Sequence, residues 1–351
     1  MRPSPAVAAT ALSLLLFTLP QVRALDTGSR DAGPLYATSI FLPYLLYLQM
    51  PALPARNDEE GTLGVSVTQY LTNDIGVFRR VVDEVETYGT IEDFENLTIE
   101  LESSYAFPQG WEAGFRTRLL YYYGGFLDGG IEAFHGLFGF PNGGREQIEN
   151  SQVFIDIDNN NGVPLRQAGE LLALGDSDLW LKKEISRGGG YFVSAAAAVK
   201  LPTGALSGYE IVSSGYPDFA LGLLADFHSD GPFSWYAQAG ATIPGEVVLP
   251  SSAEPYPFAV ALLAAEFRPR SPWSLVGQLN FKTRVISGSL AHGFFTEIDR
   301  LSLPQTDLVF GLVRSGERDR LQLFFTENFL THQGADITVG VRYSRVFPLR
   351  P

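Results

Sequence analysis

Residues Phe94–Tyr123 alternate apolar and polar side chains twice over, on either side of a Pro108-Gln109-Gly110 turn. In the first half Leu97, Ile99, Leu101, Tyr105 and Phe107 alternate with Thr98, Glu100, Glu102 and Ser104. In the second, Trp111, Ala113, Phe115, Leu119, Tyr121 and Tyr123 alternate with Glu112, Arg116 and Arg118. Successive side chains of an extended chain point to opposite faces, so a period of two sustained this long reads as a β-hairpin. With Phe107 facing Trp111 across the turn, the register sets Glu102 opposite Arg116 and Glu100 opposite Arg118, pairs that stabilise a ladder. One face then carries acids and guanidiniums at mid-strand, and the other is apolar with aromatics at both ends. A strand between lipid and a polar lumen has this pattern. A secreted soluble β-protein, with its aromatic faces packed on one another, is the competing reading.

The chain start favours the membrane. Met1-Arg2, an apolar run from Ala6 to Leu19 and Val22-Arg23-Ala24 read as a secretory signal peptide over residues 1–24. That run is too short for a spanning helix, and no later stretch offers eighteen uncharged apolar residues. The chain has no cysteine, so an exported protein of this length is held by something other than disulfides, as a closed hydrogen-bonded barrel is. The net charge of −14 excludes a nucleic-acid partner, which needs a basic face.

Residues 25–60 carry no alternating run. Pro34, Pro43, Pro51 and Pro54 punctuate the apolar stretch Ile40–Leu48, which makes a poor central strand because proline removes ladder donors. The segment is either an apolar linker tucked against the wall or a plug in a barrel mouth. Residues 61–351 read as the barrel. Gly61–Leu71 is its first strand, an acidic loop runs to Asp93, and Gly124–Gly175 is a long irregular segment after the hairpin, with a short alternating piece around Gln152–Asp158. From Asp176 strands recur at Asp178–Ile185, Tyr191–Leu201, Asp218–His228, Ser234–Ile243, Phe258–Phe267, Trp273–Ile286, Asp307–Val313, Arg320–Phe329 and Ile337–Phe347. Short and long connections alternate between them, which gives about twelve strands and both barrel ends on the periplasmic side. The expected fold is therefore all-β: a single antiparallel transmembrane β-barrel in the bacterial outer membrane, with an N-terminal extension or plug. Phe258–Phe267 and Asp307–Val313 are apolar on both parities, and their inner face is expected to meet the N-terminal segment.

Three stretches carry a family resemblance. Phe134-His135-x2-Phe138-Gly139-x-Pro141-x-Gly143-Gly144-Arg145, Leu174-Gly175-Asp176-x-Asp178-Leu179 and Lys200-Leu201-Pro202-Thr203-Gly204 resemble the DUF3187 family of bacterial exported proteins of unknown function. More distantly, the chain is similar to outer-membrane barrels linked to aromatic-compound degradation. The resemblance implies a barrel and passage of small molecules, with the barrel insertion machinery as a partner during assembly. Such barrels end on an aromatic; here Phe347 is followed by Pro348-Leu349-Arg350-Pro351, although Tyr343 and Phe347 keep the spacing of that signal.

Chemistry beyond this is sparse. His135, His228, His292 and His332 have no serine and acid at a spacing that identifies a triad, so no catalytic residue is assigned and no enzyme is expected. Asp156-x-Asp158-Asn159-Asn160-Asn161-Gly162 resembles a calcium loop, but its glycine is misplaced and Gln167 stands where a glutamate is needed. No metal or cofactor is expected. The lumen-lining candidates are Glu100, Glu102, Arg116, Arg118, Lys282 and Arg284, because a charge on the lipid face costs about 2–4 kcal/mol. They either bias what passes, as charged rings do in pores, or neutralise one another and fill the lumen. Phe134, His135, Phe138, Gly143, Gly144 and Arg145 are loop or ligand candidates, set against a solvated glycine turn and a wall-packing anchor. The functional expectation is a passive channel or uptake porin for small molecules, hydrophobic ones included, embedded in outer-membrane lipid. The alternative is a closed structural or surface-interaction barrel.

Overall fold

The alternating stretches become strands, and the parity of each alternation decides which side chain meets the lumen. The computed structural model describes residues 32–82, 85–138, 151–157, 165–245, 256–269, 271–285, 304–328, 335 and 337–349. Its strands are β1 (Thr62–Val82), β2 (Val85–Phe107), β3 (Trp111–Tyr123), β4 (Phe154–Ile157), β5 (Leu165–Ala168), β6 (Leu171–Leu174), β7 (Ser177–Gly188) and β8 (Tyr191–Leu201). They continue as β9 (Asp218–His228), β10 (Phe233–Ile243), β11 (Phe258–Phe267), β12 (Trp273–Lys282), β13 (Gln305–Ser315), β14 (Asp319–Glu327) and β15 (Ile337–Pro348). Two helices, α1 (Leu42–Leu45) and α2 (Asp128–Phe138), precede β1 and follow β3.

Twelve of these strands close a ring. From β7 to β15 each pairs antiparallel with the next; β15 pairs β1, β1 pairs β2, β2 pairs β3, and β3 pairs β7. Closure leaves no wall edge unpaired, which lipid requires. Five short turns and both ends of the ring lie at one end, periplasmic in barrels of this kind, and the long connections lie at the other, together with the tip of the β1–β2 hairpin. At the β2–β3 turn Gln109 and Gly110 take φ of 63° and 76°, so Phe107 faces Trp111 as the alternation predicts.

The exterior is apolar. Leu221, Leu223, Leu263, Leu275 and Phe310 project outward and are exposed, while Phe107, Trp111, Tyr191, Phe233, Trp273 and Phe347 ring the short-turn end. Phe219 and Phe281 are exposed near the opposite end. An apolar band between aromatic girdles around a polar interior is the architecture of a transmembrane barrel of the bacterial outer membrane.

Three expectations are corrected. Residues 72–93 are not a loop: β1 runs on to Val82 and β2 begins at Val85, so this hairpin rises beyond the rest of the wall. Alternation fails as a guide there, since the consecutive polar residues Thr72, Asn73 and Asp74 are all buried. Gly124–Gly175 is not wholly irregular. It holds α2, the β4–β5 hairpin that pairs with β2, and β6, which pairs with the upper part of β3. In the resembled calcium loop Asp156 lies in β4, opposite Arg166 of β5. Finally, β12 stops at Lys282. Arg284 therefore leaves the lumen register, is exposed, and lies over the Tyr256 ring at 5.2 Å.

Candidate functional site

The inner wall has two unlike sides. On β11–β14 an apolar patch of Phe258, Leu262, Val276, Val309, Val313 and Phe324 is buried on the inward parity, among polar residues such as Gln278, Asn280, Gln305 and Gln322. On β2, β3 and β7–β9 the inward parity is charged, through Glu100, Glu102, Arg116, Arg118, Asp178, Lys182, Lys200, Asp218 and Asp226, again all buried.

Residues 32–57 lie between these sides. The segment enters at the short-turn end, where the Ala32 amide donates to Glu266 at 3.0 Å near the end of β11. It climbs past Gln278, which receives the Leu35 amide at 2.8 Å, and reaches the long-loop end at Gln305, which receives the Ser39 hydroxyl at 3.1 Å. There α1 turns it, with the Tyr44 hydroxyl donating to the Thr283 carbonyl at 3.2 Å. The return limb passes Asp218, which accepts the Leu48 amide at 2.8 Å, and Asp226, which accepts the Ala55 amide at 2.7 Å near the end of β9. The segment is thus a loop that spans the lumen and returns.

Side chains of the wall replace the ladder that the segment lacks. Gln278 and Gln322 each accept an amide and donate to a carbonyl of the ascending limb. Gln238 donates to the Pro51 carbonyl, Thr242 to Leu48, and Lys182 to both Pro54 and Arg56. Leaving one such buried backbone group unpaired costs about 1–3 kcal/mol, so this many side-chain contacts are what make the buried path tenable. The apolar side chains face the apolar wall: Tyr44 meets Phe258 edge-on at 6.1 Å, and Leu35 fits against Gly311, where a Cβ would fall 2.6 Å from Leu35 Cδ2. The packing expected of Phe258–Phe267 and Asp307–Val313 is found here.

The hairpin charges take the expected register but not all the expected partners. Glu100 faces Arg118 and Glu102 faces Arg116 in the ladder. Arg118 does pair with Glu100, at 3.3 Å. Arg116 instead turns to Asp178 of β7, its Nε donating at 2.8 Å, and Arg118 adds a 2.8 Å bond to the same carboxylate. Glu102 pairs with Arg342 of β15 at 2.8 Å and receives the Tyr36 hydroxyl. The Tyr36 ring lies under the Arg342 guanidinium at 3.6 Å, and Arg116 donates to the Gln49 carbonyl at 3.0 Å. The cluster therefore clamps both limbs of the segment. Lys282 pairs with Asp307 at 3.4 Å beneath the Tyr44 ring.

Residues 79–345 match the family described as protein of unknown function, DUF3187. The chain belongs to the DUF3187 family. No curated protein matches it. Among solved structures it is similar to the COG4313 outer membrane channel from Pseudomonas putida F1, at 13% identity and a TM-score of 0.49, over 84% of this chain and 98% of that one. It is also similar to the NanC porin, at 6% identity and a TM-score of 0.44, over 80% and 98% of the two chains. The P. putida toluene transporter TodX is similar at 11% identity and a TM-score of 0.40, over 84% and 92%. The strand order stands without these likenesses.

Two DUF3187 stretches quoted from the sequence meet in space. Lys200 lies between Asp176 at 3.2 Å and Asp218 at 3.0 Å, donates to Ser214 at 2.7 Å and reaches the Leu46 carbonyl. The Gly204 amide donates to Asp176 at 3.0 Å, and the Thr203 hydroxyl to the Gly175 carbonyl at 3.0 Å. Burial raises the Asp176 carboxyl above its ordinary range, with Lys200 opposing. The third stretch is less informative. Phe134, His135 and Phe138 fall within α2, but their side chains, like Gly143, Gly144 and Arg145, lie outside the described residues. His292, His332 and the signal peptide do too.

Asp178, Lys182, Lys200, Asp218, Asp226, Glu266, Gln278 and Arg342 were not singled out as site residues. Each sits on the polar parity of its strand or at a strand start, so the alternation marked them as inward. It did not mark what they hold.

Proposed function

We propose that this DUF3187 protein is a gated passive channel of the outer membrane, closed by residues 32–57 and admitting small molecules with an apolar face. The observation that carries the reading is how the segment is held. Its backbone bonds to side chains on strands all around the barrel, not to a neighbouring strand, so it can leave without breaking any wall ladder. The wall is complete without it, because twelve strands close on themselves. The apolar patch on β11–β14 favours solutes with hydrophobic surface, and the polar and charged residues around it keep the route wet. Both limbs of the loop return to the short-turn end, so withdrawal toward the periplasm needs no passage past the outer loops.

A locked and an unlocked form of the full chain test this. The protein has no cysteine, so Leu53→Cys with Gln238→Cys supplies one thiol on the segment and one on the wall, where the Leu53 amide meets the Gln238 side chain at 3.4 Å, and a short crosslinker with an internal disulfide bridges them reversibly. Single-channel recordings in planar bilayers should be silent when the bridge is oxidised and show discrete steps when it is reduced. Silence in both forms, from protein shown to be inserted and folded, would leave the closed structural barrel as the better reading.

A further inference from the structure

The lumen charges are unevenly compensated. Among the described residues Arg116, Arg118, Lys182, Lys200, Lys282 and Arg342 each pair with an inward carboxylate. Near the short-turn end two buried carboxylates, Asp226 and Glu266, have no cation within ion-pair distance among the described residues. Asp226 instead accepts the amides of Ala55 and Arg56, at 2.7 and 3.1 Å. Glu266 is wholly buried; one of its oxygens takes the Ala32 amide at 3.0 Å and the Tyr236 hydroxyl, and the other, Oε1, has no hydrogen-bond partner.

These two acids belong together. Asp226 stands directly across the β9–β10 ladder from Tyr236, and Tyr236 bonds Glu266 from the other side. Both lie close to the short-turn end, on one arc of the wall. The nearest inward bases do not neutralise this arc. His228, two residues on from Asp226, meets the Ser234 hydroxyl at 3.0 Å, Lys182 is engaged with Glu112 at 3.0 Å, and Arg320, beside Gly33, lies three strands further round on β14. In the closed barrel the partial positive charge of three peptide N–H groups stands in for a cation at both carboxylates. Once the segment leaves, those donors leave with it.

We infer that Asp226 and Glu266 form a cation-selecting site at the periplasmic mouth of the open channel, which monovalent cations or the ammonium group of a solute occupy in place of the amides of Ala32, Ala55 and Arg56. The inference rests on the gated-channel reading above. It extends that reading from apolar solutes to those that also carry a positive charge. Uncompensated carboxylates in a low-dielectric constriction attract counter-ions and repel anions, the device of charged rings in cation pores. The same residues hold the gate, so an arriving cation competes with the segment for them.

Reversal potentials of the full chain in a KCl gradient test the site. Open steps should reverse toward the potassium equilibrium potential. Asp226→Asn with Glu266→Gln should bring the potassium-to-chloride permeability ratio down several-fold toward unity, and open more often because two charged anchors of the gate become weaker neutral ones. Asp226→Glu with Glu266→Asp keeps the charges and should keep the selectivity, which separates lost charge from a distorted wall. A purely structural role would change opening frequency alone. Chloride preference in the unaltered protein, or an unchanged ratio in the neutralised variant, would overturn the site while the channel reading survives. An absence of steps in every form would overturn the channel reading and this site with it.

Discussion

Arg116 stands directly across the β2–β3 ladder from Glu102, yet its guanidinium turns away and joins Asp178 on β7. Glu102 is thereby released to Arg342 and to the Tyr36 hydroxyl. A hairpin that neutralised itself would offer the N-terminal segment no charged partner on β2 or β3. This exchange ties the segment to three parts of the wall, β2, β3 and β15.

Asp178 is accordingly the most consequential member of the cluster. It accepts from both Arg116 and Arg118, all three side chains being buried. In Asp178→Asn two guanidiniums would share Glu100 alone. Removing one partner of a buried ion pair costs about 3–5 kcal/mol, so the urea midpoint of the folded barrel should fall clearly. An unchanged midpoint would mean that water reaches the cluster and screens it.

Gly311→Val tests the seal without touching a charge. The added Cβ would fall 2.6 Å from Leu35 Cδ2 and 3.0 Å from the Leu323 carbonyl. Overpacking of this kind costs about 1–3 kcal/mol. The wall is ladder-bonded on both sides of β13, whereas Leu35 is held through Gln278, so the segment should yield first. More frequent channel openings with little loss of barrel stability are expected. The reverse pattern would show that the segment is the stiffer of the two.

The architecture was legible because one rule generates it. Alternation assigned the faces, and connection lengths gave the strand count and the common end of the termini. The Glu100–Arg118 and Glu102–Arg116 register followed from the single turn at Pro108-Gln109-Gly110. What the sequence withheld were contacts between elements distant along the chain. Asp226 looks the same as an inward polar residue whether it faces water or the Ala55 amide. The path of residues 32–57 leaves no periodic trace either, because its bonds go to side chains scattered over the barrel. The rise of residues 72–93 was hidden for another reason: beyond the lipid both faces of a hairpin are polar, so alternation loses its signal.

Lys200→Met separates the two limbs of the segment. The lysine neutralises Asp176 and Asp218 and reaches the Leu46 carbonyl, while Asp218 holds the Leu48 amide. Without it two buried carboxylates face one another, and the turn of the segment loses an anchor. Hydrogen exchange should accelerate at residues 44–50. It should change little at residues 32–36, whose partners are Glu266, Gln278 and Gln322. Uniform acceleration across both limbs would mean that the segment moves as one body.

Leu223→Arg asks whether the outer face meets hydrocarbon at all. Leu223 lies mid-way along β9 and is 60% exposed, beside Leu224, which points inward at 2%. On a soluble protein an exposed leucine exchanges for arginine within about 0.5 kcal/mol. At the midplane of a bilayer the same change costs about 2–4 kcal/mol, because the guanidinium must be dehydrated or drag water and headgroups inward. Folding into vesicles of short-chain phosphatidylcholine, followed by urea titration, reads the difference. A large loss at Leu223, and a much smaller one when arginine replaces Phe347 at the short-turn end, would place the two residues at the depths the girdle implies. Equal, small losses at both sites would mean that the exterior is not in contact with lipid, and the soluble secreted β-protein would become the better account.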